Sequence, residues 1–312
     1  MKYLLSLVLL LGLGCQKSPS KLEQWIQPNG KIKVMSTTAM IDDIVGQVGG
    51  DRIDHIALIE GAMDPHSYEL VKGDDEKFSY AKVIFYNGLG LEHGASLRYH
   101  LQTHSKAIAL GDKLRAENPE AILTDRGQVD PHIWLDVSLW AKIVDPIVEA
   151  LSEADPQNRD YFYGRGIQVK ESLSQLDNLL IQKIGNISAE KRYLVTSHDA
   201  FNYFTRRYLN DGTTSWKDRF CAPEGLAPDG QLSCHDIQLV IDHLLKHQIG
   251  VIFSESHVSK ESLNKILSVC REKKMDVKIA KAPLHSDTLG EAEGTYQTMM
   301  LHNAEVLCEA WQ

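Results

Sequence analysis

Short runs of β-branched and aliphatic residues recur along this chain, separated by segments of helical period. One helical segment is far longer than the others. KIKVMST (31–37), RIDHIALI (52–59) and AKVIFYNG (81–88) read as strands, and TAMIDDIVGQV (38–48) as a helix ending at Gly49-Gly50. This β-α-β rhythm predicts an α/β fold with mainly parallel sheets flanked by helices. Asp155-Pro156 then supplies an N-cap and a proline at the first helical position. Leu173, Leu176, Leu180 and Ile184 continue at helical spacing until Gly185. A helix over 156–184 is about 43 Å long at 1.5 Å per residue, longer than one small domain, and predicts a rigid strut between two lobes that resists wide hinge motion. The rhythm restarts with strands at 192–197, 249–256 and 276–283 and helices at 200–209, about 259–272 and about 292–310. The expected division is an N-terminal lobe over 31–155, a linking helix over 156–185 and a C-terminal lobe over 186–312. Residues 210–231, rich in Gly, Pro and Asp, read as one long packed loop.

Residues 1–14, MKYLLSLVLLLGLG, carry one lysine and an apolar run too short to span a bilayer. They match the h-region of a secretory signal peptide. Leu-Gly-Leu-Gly-Cys resembles a bacterial lipoprotein cleavage box, which makes Cys15 the lipidated first residue of the mature chain. A plain signal with a chance cysteine is the alternative. Either way the chain is expected outside the cytoplasm, in the periplasm or on the outer face of the cell membrane. The segment 15–30 then reads as a polar tether from lipid to domain. Export permits disulfides. Of the cysteines after Cys15, Cys221 and Cys234 flank the Pro/Gly-rich loop and are the favoured pair, against the alternative of buried thiols throughout. No CxxC occurs, which disfavours a thiolate zinc site.

The composition, 43% hydrophobic and 24% charged over 312 residues, is that of a globular protein. A net charge of −9 argues against a nucleic-acid partner, because phosphate binding needs clustered Lys and Arg. It leaves cations open as ligands. Of the 13 histidines, His243 and His247 share a helix face with no adjoining acidic ligand motif. His93, His100 and His104 lie in a polar stretch expected at the surface, and His55 alternates within a strand. His235, His257, His285 and His302 stand in no strong context, although His285 is close to Asp287.

Three others differ. His66 in GAMDPHSYEL follows the strand ending at Ile59, and His198 in LVTSHDAF follows the strand 192–197. His132 in VDPHIWLD precedes a helix. Asp287 in APLHSDTLG follows the strand 276–283. Ligands of open α/β sheets collect beyond the carboxyl ends of strands. Two of these residues come from each lobe, so a site built from all four sits in the cleft between them. Asp-Pro before His66 and His132 suits loops that aim an imidazole. Three imidazoles and a carboxylate suit Zn²⁺, and also Mn²⁺ or Fe²⁺ where the carboxylate is bidentate. Each ligating histidine should pass its second ring nitrogen to a carboxylate or carbonyl. Glu69, Asp136 and Asp199 are the candidates for that role. Alone, each of these histidines could equally be a hydrogen-bonded structural residue; the four residues together, two from each lobe, favour metal.

DPHSYE around His66, NGLGLE (87–92), DPHIWLD around His132, SHDAFNYF around His198 and SDTLG around Asp287 together resemble the solute-binding lipoproteins of bacterial manganese and zinc ABC importers. The resemblance covers nearly the whole mature chain. It implies two α/β lobes joined by a long helix, with one divalent metal ion between them on His66, His132, His198 and Asp287. It also implies a transmembrane permease with its cytoplasmic ATPase as partners and a monomer held to the membrane by a lipid anchor. In that family the third ligand is His or Glu; here it is His198. Many zinc-dedicated members carry a long His/acid-rich loop after the NGLGLE-type segment, where this chain has only His93, His100 and His104. The 221–234 segment also departs from the commoner family pattern.

Three functions compete on these residues. A metal carrier closes its shell with protein donors, whereas a metal-dependent hydrolase keeps an open position for water. No HExxH or GxSxG occurs. A surface adhesin is compatible with the anchor, but no residue argues for it. The expectation is therefore a binding protein, not an enzyme.

Overall fold

The protein is described by a computed structural model covering residues 19–125, 127–213, 215–228, 232–290 and 294–312. The signal-type segment 1–14 and Cys15 lie outside the described residues. Four strands, β1 (Ile32–Thr38), β2 (Ile53–Ile59), β3 (Val83–Tyr86) and β4 (Ala107–Ala109), form a parallel sheet in the order β2-β1-β3-β4. Every residue of β1 is buried, as a central parallel strand covered on both faces requires. Its register sets Val34 between His55 and Val83.

Helices cover this sheet: α1 (Lys21–Trp25), α2 (Ala39–Gly49), α3 (Asp74–Tyr80), α4 (Ala95–Thr103) and α5 (Leu110–Glu117). A small antiparallel hairpin, β5 (Thr124–Asp125) and β6 (Gln128–Val129), leads to α6 (Val137–Trp140) and α7 (Val144–Ala154). Within the segment expected as a tether, α1 is folded. Ser20 closes a capping box with Glu23, Trp25 is buried, and its indole N–H donates to Asp54 O at 3.0 Å. A tryptophan able to bury its ring against β2 makes Lys21–Trp25 part of the fold and not of a tether.

The long helix α8 spans Arg159–Gly185, 27 residues or about 40 Å. A 3-10 turn over Pro156–Asn158 precedes it, so the helix proper starts a turn later than the proline suggests. Beyond it run β7 (Leu194–Val195), α9 (Asn202–Phe204) with a π-helical turn over Thr205–Leu209, and β8 (Phe220–Cys221). Then come α10 (Cys234–His247), β9 (Val251–Ile252), α11 (Glu261–Glu272), β10 (Lys278–Ile279) and α12 (Tyr296–Trp311). The pairs β7·β8 and β9·β10 are parallel, and Phe253 N–H to Val195 O, 2.8 Å, joins them edge to edge.

These second-half strands are far shorter than 192–197, 249–256 and 276–283. After Val195 and Ile252 the chain turns polar, and side chains replace ladder partners. Thr196 Oγ1 donates to His198 O at 2.7 Å and Ser197 N to Glu255 Oε1 at 3.0 Å. The loop expected over 210–231 contains β8, whose two residues carry too little pattern to be seen.

The two halves share one core. α8 buries Phe162, Val169, Leu173, Leu176, Leu180 and Ile184. These join a single apolar cluster with Val34 and Phe85 of the first sheet and Leu194, Val251 and Phe253 of the second. Close approach needs Gly166, where a Cβ would stand 2.6 Å from Val148 Cγ2. Leu176→Ala should therefore cost about 2–5 kcal/mol and lower one cooperative melting transition followed by calorimetry. Two separated transitions would contradict a shared core.

Candidate metal centre

Two Asp-Pro-His loops deliver the histidines of the first half. Asp64 Oδ1 accepts the His66 backbone N–H at 2.9 Å, and Asp130 Oδ1 accepts that of His132 at 3.0 Å. In each loop the aspartate bonds the backbone two residues on, an Asx turn that fixes the direction of the following imidazole. His66 O in turn accepts N–H from His93 and Gly94, both at 3.2 Å. Gly94 must be glycine here, because a Cβ would meet Tyr68 O at 2.0 Å. Asp130 Oδ1 also holds His132 Nδ1 at 2.7 Å, and its Oδ2 accepts from Asn202 at 3.1 Å. His132 is thereby oriented with Nε2 free to face the cleft.

His198 and Asp287 come from the second half. Glu255, at the bridge between residue 255 and Leu284, organises both. Its Oε1 accepts the N–H groups of Ser197 and His198, each at 3.0 Å. Its Oε2 accepts the Ser286 hydroxyl and lies 2.7 Å from His198 Nδ1, without the alignment of a straight hydrogen bond. Across the cleft, Trp134 Nε1 donates to Ser286 O at 2.6 Å and Tyr296 O–H to Trp134 O at 2.6 Å. The segment that carries His132 is thus pinned to the one that carries Asp287.

The four side chains converge. One ligand atom from each of His66, His132, His198 and Asp287 lies within 4.8 Å of all the others, and all four residues are buried. His66 Nε2 faces His132 Nε2 at 3.2 Å. Asp287 Oδ2 stands 3.5 Å from His66 Nε2 and 3.3 Å from His198 Nε2, with Oδ1 3.7 Å from His132 Nε2. Both Asp287 oxygens and His198 Nε2 are buried without hydrogen-bond partners. Unpaired buried polar atoms are costly, and a cation satisfies all of them together.

The charges agree with that chemistry. Burial pushes His66 below the usual imidazole value, more than Asp287 draws it back. Burial also opposes a charge on His198, but Glu255 and Asp287 outweigh it and hold this imidazole well above its usual range. Burial would raise Asp287, yet His198 and His257 bring its carboxyl well below the ordinary carboxylate range.

The carboxylates expected behind the histidines are elsewhere. Glu69 accepts the N–H groups of Ala95 and Ser96 and so caps α4. Asp136 caps α6 through Leu139 N–H at 3.1 Å. Asp199 accepts from Asn202 at 2.9 Å, and burial beside Asp130 and Asp125 raises its pKa to about 8. Helix ends and turns use these neighbours in sequence, while Asp130 and Glu255 take the imidazoles. No disulfide joins Cys221 to Cys234: they sit on different elements, β8 and the exposed start of α10. His93, expected at the surface, rests against His66 with ring centroids 5.7 Å apart. His257 is a further residue the sequence reading passed over. Its side chain is buried, with Nε2 3.1 Å from Asp287 Oδ2. It follows directly on the expected strand 249–256, so the strand-end rule that selects His198 also selects it.

Residues 34–310 match the family described as zinc-uptake complex component A, periplasmic. The chain is 39% identical over 283 residues to the metal-binding protein YtgA of Chlamydia muridarum, covering 89% of this chain and 86% of that protein. It is 32% identical over 308 residues to the manganese-binding lipoprotein MntA of Bacillus subtilis, covering 96% and 94%. The crystal structure of Fe(III)-bound YtgA from Chlamydia trachomatis superposes with a TM-score of 0.84 at 38% identity, over 89% of this chain and 97% of that one. On a match that spans both sheets and the helix between them, the chain belongs to the zinc-uptake component A family of metal-binding solute-binding proteins.

Proposed function

We propose that this protein captures one divalent transition metal ion, Mn²⁺, Zn²⁺ or Fe²⁺, outside the cytoplasmic membrane. It then hands the ion to the transmembrane permease of an ABC importer, which a cytoplasmic ATPase drives. The observation that carries this reading is the buried convergence of His66, His132, His198 and Asp287 from both halves of the chain. Four protein donors close the shell around a tetrahedral ion, as suits a carrier and not a hydrolytic centre that must bind water. The names of the relatives support the transport role: one is a manganese-binding lipoprotein, another a metal ABC transporter substrate-binding lipoprotein. On this reading the lobes 31–155 and 186–312 flank the linking helix 156–185, and the ion lies between them. The protein acts as an exported monomer anchored through Cys15. None of the described helices is long and apolar enough to cross a membrane.

Binding to the folded state alone stabilises it by mass action, about 4 kcal/mol at a thousandfold excess over Kd. Adding Mn²⁺ or Zn²⁺ should raise the melting temperature of the native protein. His198→Ala and Asp287→Ala should each lose most of that rise in a thermal-shift titration. Retention of the full rise by both variants would refute the site.

Imidazole must be neutral to coordinate. Against the opposing effect of burial, Glu255 and Asp287 push His198 well above the usual imidazole range in the metal-free site, so the entering ion must displace a proton that they favour. Affinity should therefore climb with pH through and above the ordinary imidazole value of about 6.5, and each binding event should release protons. Calorimetry in buffers of different ionisation enthalpy measures both; an affinity unchanged from pH 8 down to pH 5 would contradict the ligand set.

Cys15→Ser should move the protein from the membrane to the soluble fraction of its host and abolish fatty-acid labelling. Continued labelling of the variant would place the lipid elsewhere, and no labelling of the native protein would rule it out.

A further inference from the structure

Glu92 closes the NGLGLE segment and belongs to no ligand set, yet it is buried with three donors on its carboxylate. Oε1 accepts the Thr37 hydroxyl at 2.7 Å and the Asn87 N–H at 2.8 Å, and Oε2 accepts the Gly88 N–H at 3.0 Å. Thr37 belongs to β1, and Asn87 and Gly88 are the first two residues past β3. A buried carboxylate is costly unless it is hydrogen-bonded. This one is satisfied by folding the chain from 87 to 92 back around it. Gly88, Leu89 and Gly90 make that turn at φ of 71°, 56° and 85°, the left-handed region that favours glycine. Leu89 is held there against its preference: its N–H donates to Asp112 Oδ1 at 3.2 Å, and its side chain joins the core.

Both ligand loops of the first half are fastened to this turn. Asn87 Nδ2 donates to Pro131 O at 3.0 Å, one residue before His132. At the other end, His93 and Gly94, the two residues after Glu92, give the N–H groups that His66 O accepts. His66 and His132 are 66 positions apart in the chain, yet one carboxylate lies behind the attachments of both. Glu255 has the same chemistry in the second half. It accepts two consecutive N–H groups just past a strand, those of Ser197 and His198 after β7, and one hydroxyl, that of Ser286.

We propose that Glu92 is the positioning residue of the first half. It folds 87–94 into the shape that sets His66 and His132 at ligand spacing, the part that Glu255 takes for His198 and Asp287. Glu92 itself touches no ion; it acts through Asn87, His93 and Gly94. The inference rests on the carrier reading above and names the group that holds two of its four ligands in place. Groups that orient metal ligands in this way cost about 10–100-fold in affinity when they are lost. Glu92→Gln keeps the size of the side chain, but a primary amide accepts through one oxygen where the carboxylate accepts through two. An N–H group of Asn87 or Gly88 then loses its acceptor.

Affinity and ligand geometry test it together. Zn²⁺ affinity of the native protein, Glu92→Gln and Leu176→Ala is measured by competition with a chelator, well below their melting transitions. The visible absorption of each loaded with Co²⁺ records the geometry of the donor set. Glu92→Gln should bind Zn²⁺ at least ~10-fold more weakly, where tenfold corresponds to about 1.4 kcal/mol, and should shift the Co²⁺ bands. Leu176→Ala weakens the core alone and should keep native bands and an affinity within ~2-fold of native. In Glu92→Gln, native bands or an affinity within ~3-fold of native would overturn the proposal, as would an equal loss in both variants; the carrier would stand. Should Glu92→Gln not fold, Asn87→Ala decides, because it leaves the carboxylate in place and cuts the link to Pro131. Weakened binding with shifted bands is expected there, and native affinity would overturn the proposal. A native protein that binds no Zn²⁺ would instead overturn the carrier reading.

Discussion

A buried carboxylate among imidazoles drawn from both halves of the chain is the interaction on which the rest of the structure depends. Asp287 lies in the interior with neither oxygen hydrogen-bonded, an arrangement that is unfavourable unless positive charge is at hand. Against the opposing effect of burial, Glu255 and Asp287 favour that charge on His198 in the metal-free protein, and the proposed cargo supplies it in the loaded one. Loss of either partner would leave the other as an uncompensated group in a medium of low polarity, so the arrangement suits a cation.

Holding that cluster in place takes the rest of the fold. Glu255 ties His198 and Ser286 to one bridge, and Asp130 fixes both the backbone and the ring of His132. Trp134 spans the cleft to Ser286 O, with Tyr296 behind it. Behind these polar contacts α8 carries one apolar core past both sheets. A core that continues through the linking helix resists the wide opening seen where two domains share only a loop. Capture and release are then expected to work through loops near the cleft, not through rotation of whole lobes.

Much of this was legible in the residues. The long helix with its stripe of Leu173, Leu176, Leu180 and Ile184 follows from its period, because burial of one face imposes that period locally, and the first three strands follow from short continuous runs of β-branched and aliphatic residues, as strands covered on both faces carry. The second-half strands are shorter than their apolar runs suggest. Valine and isoleucine mark a strand, but the serines and threonines after them bond to side chains instead of a ladder, and pattern does not record the difference. Helix α1 does not show in the pattern, because five residues are too few for a period; the burial of Trp25 makes it.

Carboxylate partners show the same divide more sharply. Glu69, Asp136 and Asp199 stand near the histidines in sequence, yet the first two cap helices and the third bonds Asn202. The residue that positions His198 is Glu255, 57 positions along the chain. The sequence by itself determined the fold class, the strut, and which histidines and aspartate stand at strand ends, since all of these are consequences of local period and residue chemistry. Only the tertiary structure decided which carboxylate faces which ring, that Cys221 and Cys234 stay apart, and that His257 reaches Asp287. Those contacts join residues distant in the chain, and their distances are fixed by how the sheets and the helix pack, which no local pattern encodes.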